Sequence, residues 1–221
     1  MRTFNEIFDI AADRKGGPAA LDALLSQPKS ARDLSDIPDD RWLSMMAKCV
    51  FQAGFSWKVI DAKWSGFEAA FEGFDPSRVA FFHDEDMDRL LSDKGIVRNG
   101  AKIASVVDNA RMVLDLAAEH GGVGAFVAGW PVTDHAGLLA DLNKRGNRLG
   151  GGTAQRMLRF MGRDGYVMSP DVVARLIAES IVTKQPSSKR DMAAVQTAFN
   201  TWMEQSGRGL TQISQVLAFS V

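Results

Sequence analysis

Apolar residues recur at spacings of three and four along much of the chain. Between Asn99 and Glu119, Ile103, Val106, Val107, Ala110 and Leu114 form one stripe of a 3.6-residue period. Ser188 to Ser206 repeats the pattern with Met192, Val195, Phe199, Trp202 and Met203, and Gly207 suits its C-cap. Leu210, Ile213, Val216 and Leu217 predict a short closing helix. No segment sustains a period-two alternation of β-branched residues, so no sheet is expected. Breaks fall at Gly16-Gly17-Pro18, Pro28, Pro38, Asp75-Pro76, Gly121-Gly122, Pro131, Gly150-Gly151-Gly152, Ser169-Pro170 and Pro186. They cut the chain into roughly ten short helices. The pattern predicts an all-α, multi-helix fold in one domain, with a cleft between two helical lobes. The central lobe would span about residues 41–165, and the other would combine residues 1–40 with 166–221. There is no fixed-period repeat and no low-complexity tract.

Composition narrows the classes. Residues of apolar type make up 46% of the 221 and charged ones 24%, the balance of a soluble globular protein. No apolar run is long enough for a bilayer, and the first residues, MRTFNEIFDIAADRK, lack the apolar core of a signal peptide. No membrane partner and a cytoplasmic location are therefore expected. Cys49 is the only cysteine, and His83, His120 and His135 have no neighbours at metal-ligand spacing, so neither a disulfide nor a zinc site is expected. The formal net charge of -1 argues against indiscriminate nucleic-acid binding and leaves room for a local basic face.

Three stretches could carry chemistry. In Asn143-Lys144-Arg145-Gly146-Asn147-Arg148-Leu149-Gly150-Gly151-Gly152-Thr153, glycines precede an amphipathic helix amid several basic residues. Such a turn leaves backbone amides open to a phosphate oxygen, and Thr153 could cap the helix or bind the phosphate. The same pattern also describes a flexible loop with a solvated helix face. In Phe51-Gln52-Ala53-Gly54-Phe55-Ser56-Trp57, a helix ends among aromatics. Trp57 could stack a flipped base, with Gln52 or Ser56 on its edge; by themselves these residues favour the plainer reading, Trp57 and Phe55 as core at a helix junction. Ser169-Pro170-Asp171 opens a helix as N-cap, N1 and an acidic first-turn residue, an ordinary explanation that leaves a catalytic carboxylate open.

Together these residues resemble the 3-methyladenine DNA glycosylase I family, of the helix-hairpin-helix DNA glycosylases. The likeness lies in Gln52-Ala53-Gly54, Ser56-Trp57, Phe67, Ala70-Phe71, Phe74-Asp75-Pro76, Val79-Ala80, Gly95-Ile96, Arg98, Lys102-Ile103, Asn109-Ala110, Lys144-Arg145-Gly146 and Gly152-Thr153. It runs from about Arg41 to Gly165. The resemblance implies an all-α protein that binds double-stranded DNA containing a damaged base, as a monomer. It would flip the nucleotide and hydrolyse its N-glycosidic bond, with an alkylated purine such as 3-methyladenine as substrate. Trp57 then falls on the tryptophan that stacks the extruded base, with Gln52, Ser56 and Cys49 around it. Arg145, Arg148 and Leu149-Gly150-Gly151-Gly152-Thr153 form the hairpin that grips the DNA backbone, where the family often holds a monovalent cation.

The departures from the family matter as much. Cys49 stands where the family has a pocket glutamate, and a neutral thiol offers no carboxylate to a cationic purine. Gly152 stands where lyase-type relatives place a lysine, so no Schiff base forms there. The family's zinc ligands are absent; apolar residues such as Phe199, Trp202 and Leu217 are expected to pack the terminal regions instead. Asp171 lies near the superfamily's catalytic aspartate and is the candidate for stabilising an oxocarbenium sugar. The alternatives are a helix-hairpin-helix DNA-binding protein without excision, or a helical interaction scaffold.

Overall fold

The structure is a computed structural model that describes residues 1–221, and it contains helices and no strand. In chain order the helices are α1 (Phe4–Lys15), α2 (Pro18–Leu24), α3 (Ala31–Ser35), α4 (Asp39–Gln52), α5 (Trp57–Ala62), α6 (Trp64–Ala70), α7 (Pro76–Val79) and α8 (Asp84–Ser92). There follow α9 (Gly100–His120), α10 (Val123–Gly129), α11 (His135–Arg145), α12 (Gly152–Met161), α13 (Pro170–Ala178), α14 (Lys189–Ser206) and α15 (Leu210–Phe219). Short 3₁₀ turns cover Glu72–Phe74 and Val132–Asp134.

Most helix ends follow local chemistry. Thr3 and Glu6 form a reciprocal capping box on α1, and Ser30 with Asp33 does the same on α3. Asn99 accepts from the Lys102 amide to start α9, and Gly121 ends it in the left-handed conformation. Ser188 and Gly207 bracket α14 in the same way. The count exceeds the roughly ten helices that glycine and proline punctuation predicts. One additional break, at Lys63 between α5 and α6, has neither residue. There the backbone leaves helical geometry at φ -98, ψ 1, and the Lys63 ammonium donates to the Lys94 carbonyl at 2.7 Å. The next residue, Trp64, stacks on Phe67 and Phe74 at 5.0 and 5.5 Å. A tertiary stack, not a local breaker, coincides with that break.

The residues divide into two compact units. Unit one holds Met1–Lys29, Trp130–Leu138 and Gly162–Val221; unit two holds Ser30–Gly129 and Leu139–Met161. In unit one, α1, α14 and α15 pack together around fully buried Phe4, Ile7, Tyr166, Phe199, Trp202, Ile213 and Leu217. Each large apolar side chain buried there contributes about 1.5–3 kcal/mol. The Trp202 indole also donates to the Arg2 carbonyl at 3.1 Å. Asp164 accepts from the Leu210 and Thr211 amides at 3.1 and 2.8 Å, which satisfies the first turn of α15.

In unit two, α9 packs against α4, α7, α8 and α10, and α4 packs in turn against α12. Trp42, Met46, Phe51, Phe67, Phe71, Phe74, Ile103, Val113 and Leu158 are buried there. α10 approaches α3 so closely that a Cβ on Gly124 would lie 2.3 Å from the Leu34 carbonyl oxygen. Only glycine permits that contact.

Candidate DNA and base site

The candidate base-stacking residues lie in unit two, where α4 ends and the chain turns into α5. The last carbonyls of a helix have no intrahelical donor. Lys102, from α9, supplies one: its ammonium donates to the carbonyls of Val50, Phe51 and Ala53 at 2.9, 3.2 and 2.5 Å. It also sits 4.5 Å from the Phe55 ring centroid. Burial, with Arg148 nearby, holds its pKa below the ordinary 10.5. This cap fixes the turn that presents Gln52, Ser56 and Trp57.

Trp57 begins α5 and is 45% exposed, so the core reading of this residue does not hold. Phe55 is exposed as well. The Trp57 indole meets Phe160 edge-on at 6.1 Å, and the Arg156 guanidinium lies 5.9 Å from its centroid. Both neighbours come from α12. Ser56 precedes the helix, exposed, and its hydroxyl makes no capping bond. Gln52 is buried and donates its amide to Asp61 at 3.3 Å, while Asp61 also pairs with Lys48 at 2.9 Å. Cys49 sits one turn back on the same face, fully buried. Burial pushes its thiol up to about 12 against the opposing pull of Arg156 and Lys48, so it is a neutral group and no thiolate nucleophile.

The hairpin joins α11 to α12 and is pinned to α9. Asn109, on α9, accepts from the Asn147 amide at 2.7 Å and donates to the Asn147 carbonyl at 3.0 Å. Asn147 also donates its side chain to Asp108 at 2.7 Å. Leu149 is buried, and a Cβ on Gly146 would come within 2.5 Å of it. Arg148 and Gly151 both have positive φ, at 62 and 56, which turns the chain tightly into α12. α12 then starts at Gly152, so the amides of its first turn have no acceptor within the helix itself. Thr153 does not cap the helix, contrary to expectation. It is the second helical residue, with a buried side chain, and its amide returns to the Gly150 carbonyl at 3.2 Å.

The basic residues of this stretch differ in availability. Arg145 is committed to two carboxylates, Glu119 and Asp141, each at 2.9 Å, and these raise its pKa. A phosphate would have to share it. Arg148 is exposed and spends only its Nε on the Ala101 carbonyl, at 3.3 Å. Asp171 belongs to unit one. It is exposed in the first turn of α13, behind the N-cap Ser169 and Pro170, as the local pattern predicts. No three His, Cys, Asp or Glu side chains converge as metal ligands.

A family model described as methyladenine glycosylase matches residues 36–166, more than half of the chain. The chain belongs to the methyladenine glycosylase family. The stretch whose motifs carry the resemblance, about Arg41 to Gly165, lies inside that match. DNA-3-methyladenine glycosylase 1 of Escherichia coli strain K12 is 42% identical over 65 residues, 29% of this chain. That match spans 35% of the curated relative's own length. The 3-methyladenine DNA glycosylase I of Staphylococcus aureus is similar in structure, with a TM-score of 0.52 at 25% identity, over 70% of this chain and 90% of that one. The Methanocaldococcus jannaschii 8-oxoguanine glycosylase/lyase, solved with a 15mer DNA containing 8-oxoguanine, is similar over 97% of this chain and 96% of its own. Its TM-score is 0.53 at 11% identity, which shows a shared helix-hairpin-helix glycosylase fold.

The sequence assigns no role to several residues that the structure brings to the site. Arg156 and Phe160 frame Trp57, Lys102 caps α4, and Asn109 holds the hairpin. Lys102 and Asn109 both stand in the matched motifs, and Asn109 is also a polar residue inside the apolar stripe of α9. Arg156 resembles any solvated helix cation until α4 is placed beside it.

Proposed function

We infer that the chain is a monofunctional DNA glycosylase of base-excision repair, which stacks a flipped alkylated purine on Trp57 and hydrolyses its N-glycosidic bond. One observation carries the reading. α12 starts at the hairpin turn and, through Arg156 and Phe160, frames the exposed Trp57. Gly152, Arg156 and Phe160 are spaced by four and share one helix face. Eight residues of helix separate the two functions by about 12 Å. A single rigid element thus sets the distance between a gripped phosphate and a stacked base.

In the reaction the C1′–N bond breaks and its electron pair leaves with the base. Water adds to C1′ and gives up a proton, to solvent where a cationic lesion leaves as a neutral base and to the base where a neutral lesion leaves as an anion. With Gly152 at the hairpin, no amine is present there to form a Schiff base, so the strand stays intact. Asp171, exposed and in no ion pair, is a separate candidate for stabilising the sugar cation, and Asp171→Asn reads its part. The test is release of alkylated purines from duplex DNA that is methylated, with 3-methyladenine scored first, or that carries ethenoadenine. Trp57→Ala should lose about 5- to 150-fold in lesion affinity, the worth of one base–aromatic stack. Wild-type protein that releases no alkylated purine, with Trp57→Ala binding lesion DNA unchanged, defeats the reading.

A second reading is favoured by Cys49, a buried neutral thiol where the resemblance places a carboxylate. On that reading the protein binds damaged duplex without excision. Salt-dependent duplex binding with no base released from any lesion supports it, and release of any base sinks it.

A further inference from the structure

Two buried polar groups on α4 and α12, which pack together, lack partners. Gln52 is 5% exposed and gives its amide N–H to Asp61. A carboxylate only accepts, so that bond fixes the orientation of the amide. The Gln52 Oε1 is then buried with no donor. On α12, the Arg156 Nε–H is also buried with no acceptor. Folded proteins leave few such groups, because each keeps its full desolvation penalty. A ligand that displaces the groups covering them, donates to one and accepts from the other removes both penalties.

The charge around them selects among ligands. Arg156 lies against the face of Trp57, and its field reaches the buried, neutral Cys49. Asp61, the carboxylate bonded to Gln52, is already paired with Lys48 at 2.9 Å. Lys48, Asp61 and Arg156 together leave one positive charge.

We propose that this site takes an uncharged alkylated purine, with a ring nitrogen or carbonyl facing Arg156 and an N–H facing Gln52, and disfavours purines that alkylation has made cationic. The inference rests on the glycosylase reading and adds the charge class of its substrate. A cationic base stacked on Trp57 would lie beside the Arg156 guanidinium, and like charges repel. A neutral base gains twice. Its acceptor pairs with a fixed donor on binding. As the C1′–N bond breaks, the electron pair makes the departing base anionic, and Arg156, keeping its own protons, stabilises that charge. The guanidinium thus serves the kind of leaving group that needs most help.

The experiment compares duplexes that carry one ethenoadenine, a neutral alkylated purine, or one 7-methylguanine, a cationic one. Release and binding are both measured, for wild type, Arg156→Gln and Arg156→Lys. Wild type should favour the ethenoadenine duplex in both measurements. Arg156→Gln should lower ethenoadenine release and affinity by about 10- to 100-fold and leave or improve the 7-methylguanine values, as expected for a lost charged hydrogen bond. Arg156→Lys should fall between, keeping charge without the planar fork. A preference for 7-methylguanine, or equal losses on both lesions and on undamaged duplex, overturns the proposal. The second result would make Arg156 a phosphate contact. If no base is released at all, the glycosylase reading fails while the binding comparison still decides the charge preference.

Discussion

Asn109→Ala should uncouple the hairpin from the rest of unit two. Asn109 is 1% exposed in the middle of α9 and makes two bonds to the backbone of Asn147, at 2.7 and 3.0 Å. Alanine removes both partners and leaves an amide and a carbonyl to find water. An orphaned buried polar group costs about 1–3 kcal/mol. Asn147 is near the surface, so water recovers part, and the expected loss is about 2–3 kcal/mol for the pair. In a chain of this length that lowers Tm by roughly 4–12 °C. Asn109→Asp separates the two bonds. It still accepts from the Asn147 amide, but an ionised carboxylate faces the Asn147 carbonyl. The protonated acid can donate there, so the folded pKa is raised above the unfolded value. Its stabilising contribution is present at acid pH and lost as pH rises through the folded pKa. Urea denaturation followed by circular dichroism at pH 7 and at mildly acid pH, each against wild type, measures this, and fluorescence anisotropy on a labelled duplex measures the grip. Duplex affinity should fall in both variants at neutral pH, because the amides before α12 are no longer held in place. If Asn109→Ala is within about 0.5 kcal/mol of wild type and binds duplex as tightly, the pin is not what sets the hairpin.

Two further outcomes follow from buried groups in unit two. Cys49, with its thiol pushed up to about 12, should stay unmodified by a maleimide or disulfide reagent at neutral pH in the native protein and react on addition of denaturant; rapid native labelling would refute its burial. Lys102→Met removes the donor to three carbonyls at the end of α4 and should destabilise by about 2–4 kcal/mol in urea titrations. Because burial depresses the folded pKa of Lys102, the unfolded chain binds more protons just below pH 10.5, and the stability of wild type relative to Lys102→Met should rise with pH through that window. A flat or falling difference would mean that the ammonium is not desolvated.

Much of the fold is legible along the chain, and the reason is periodicity and capping. Ser188 and Gly207 mark both ends of α14, and Ser169 with Pro170 marks the start of α13, because each supplies bonds or dihedrals that its own helix end requires. The break at Lys63 is not legible, because no residue there disfavours helix; it coincides with the stacking of Trp64 on Phe67 and Phe74. Trp57 shows the same limit. As letters, Phe55 and Trp57 read first as core, and only the packed structure shows them exposed.

The sequence by itself determined an all-α chain, the glycine turn before α12 and, through motif order, a family. These depend on interactions between residues a few positions apart, or on identities in series. The tertiary structure alone decided which of the named residues are free to act. Arg145 is held by Glu119 from a distant helix, the Cys49 thiol is silenced by burial, and Arg156 is turned to the face of Trp57 with its Nε–H unmet. Charge, exposure and an unfilled hydrogen bond depend on what packs alongside, and in this chain the neighbours that matter come from 26 residues away for Arg145 and from across the α4–α12 contact for Arg156.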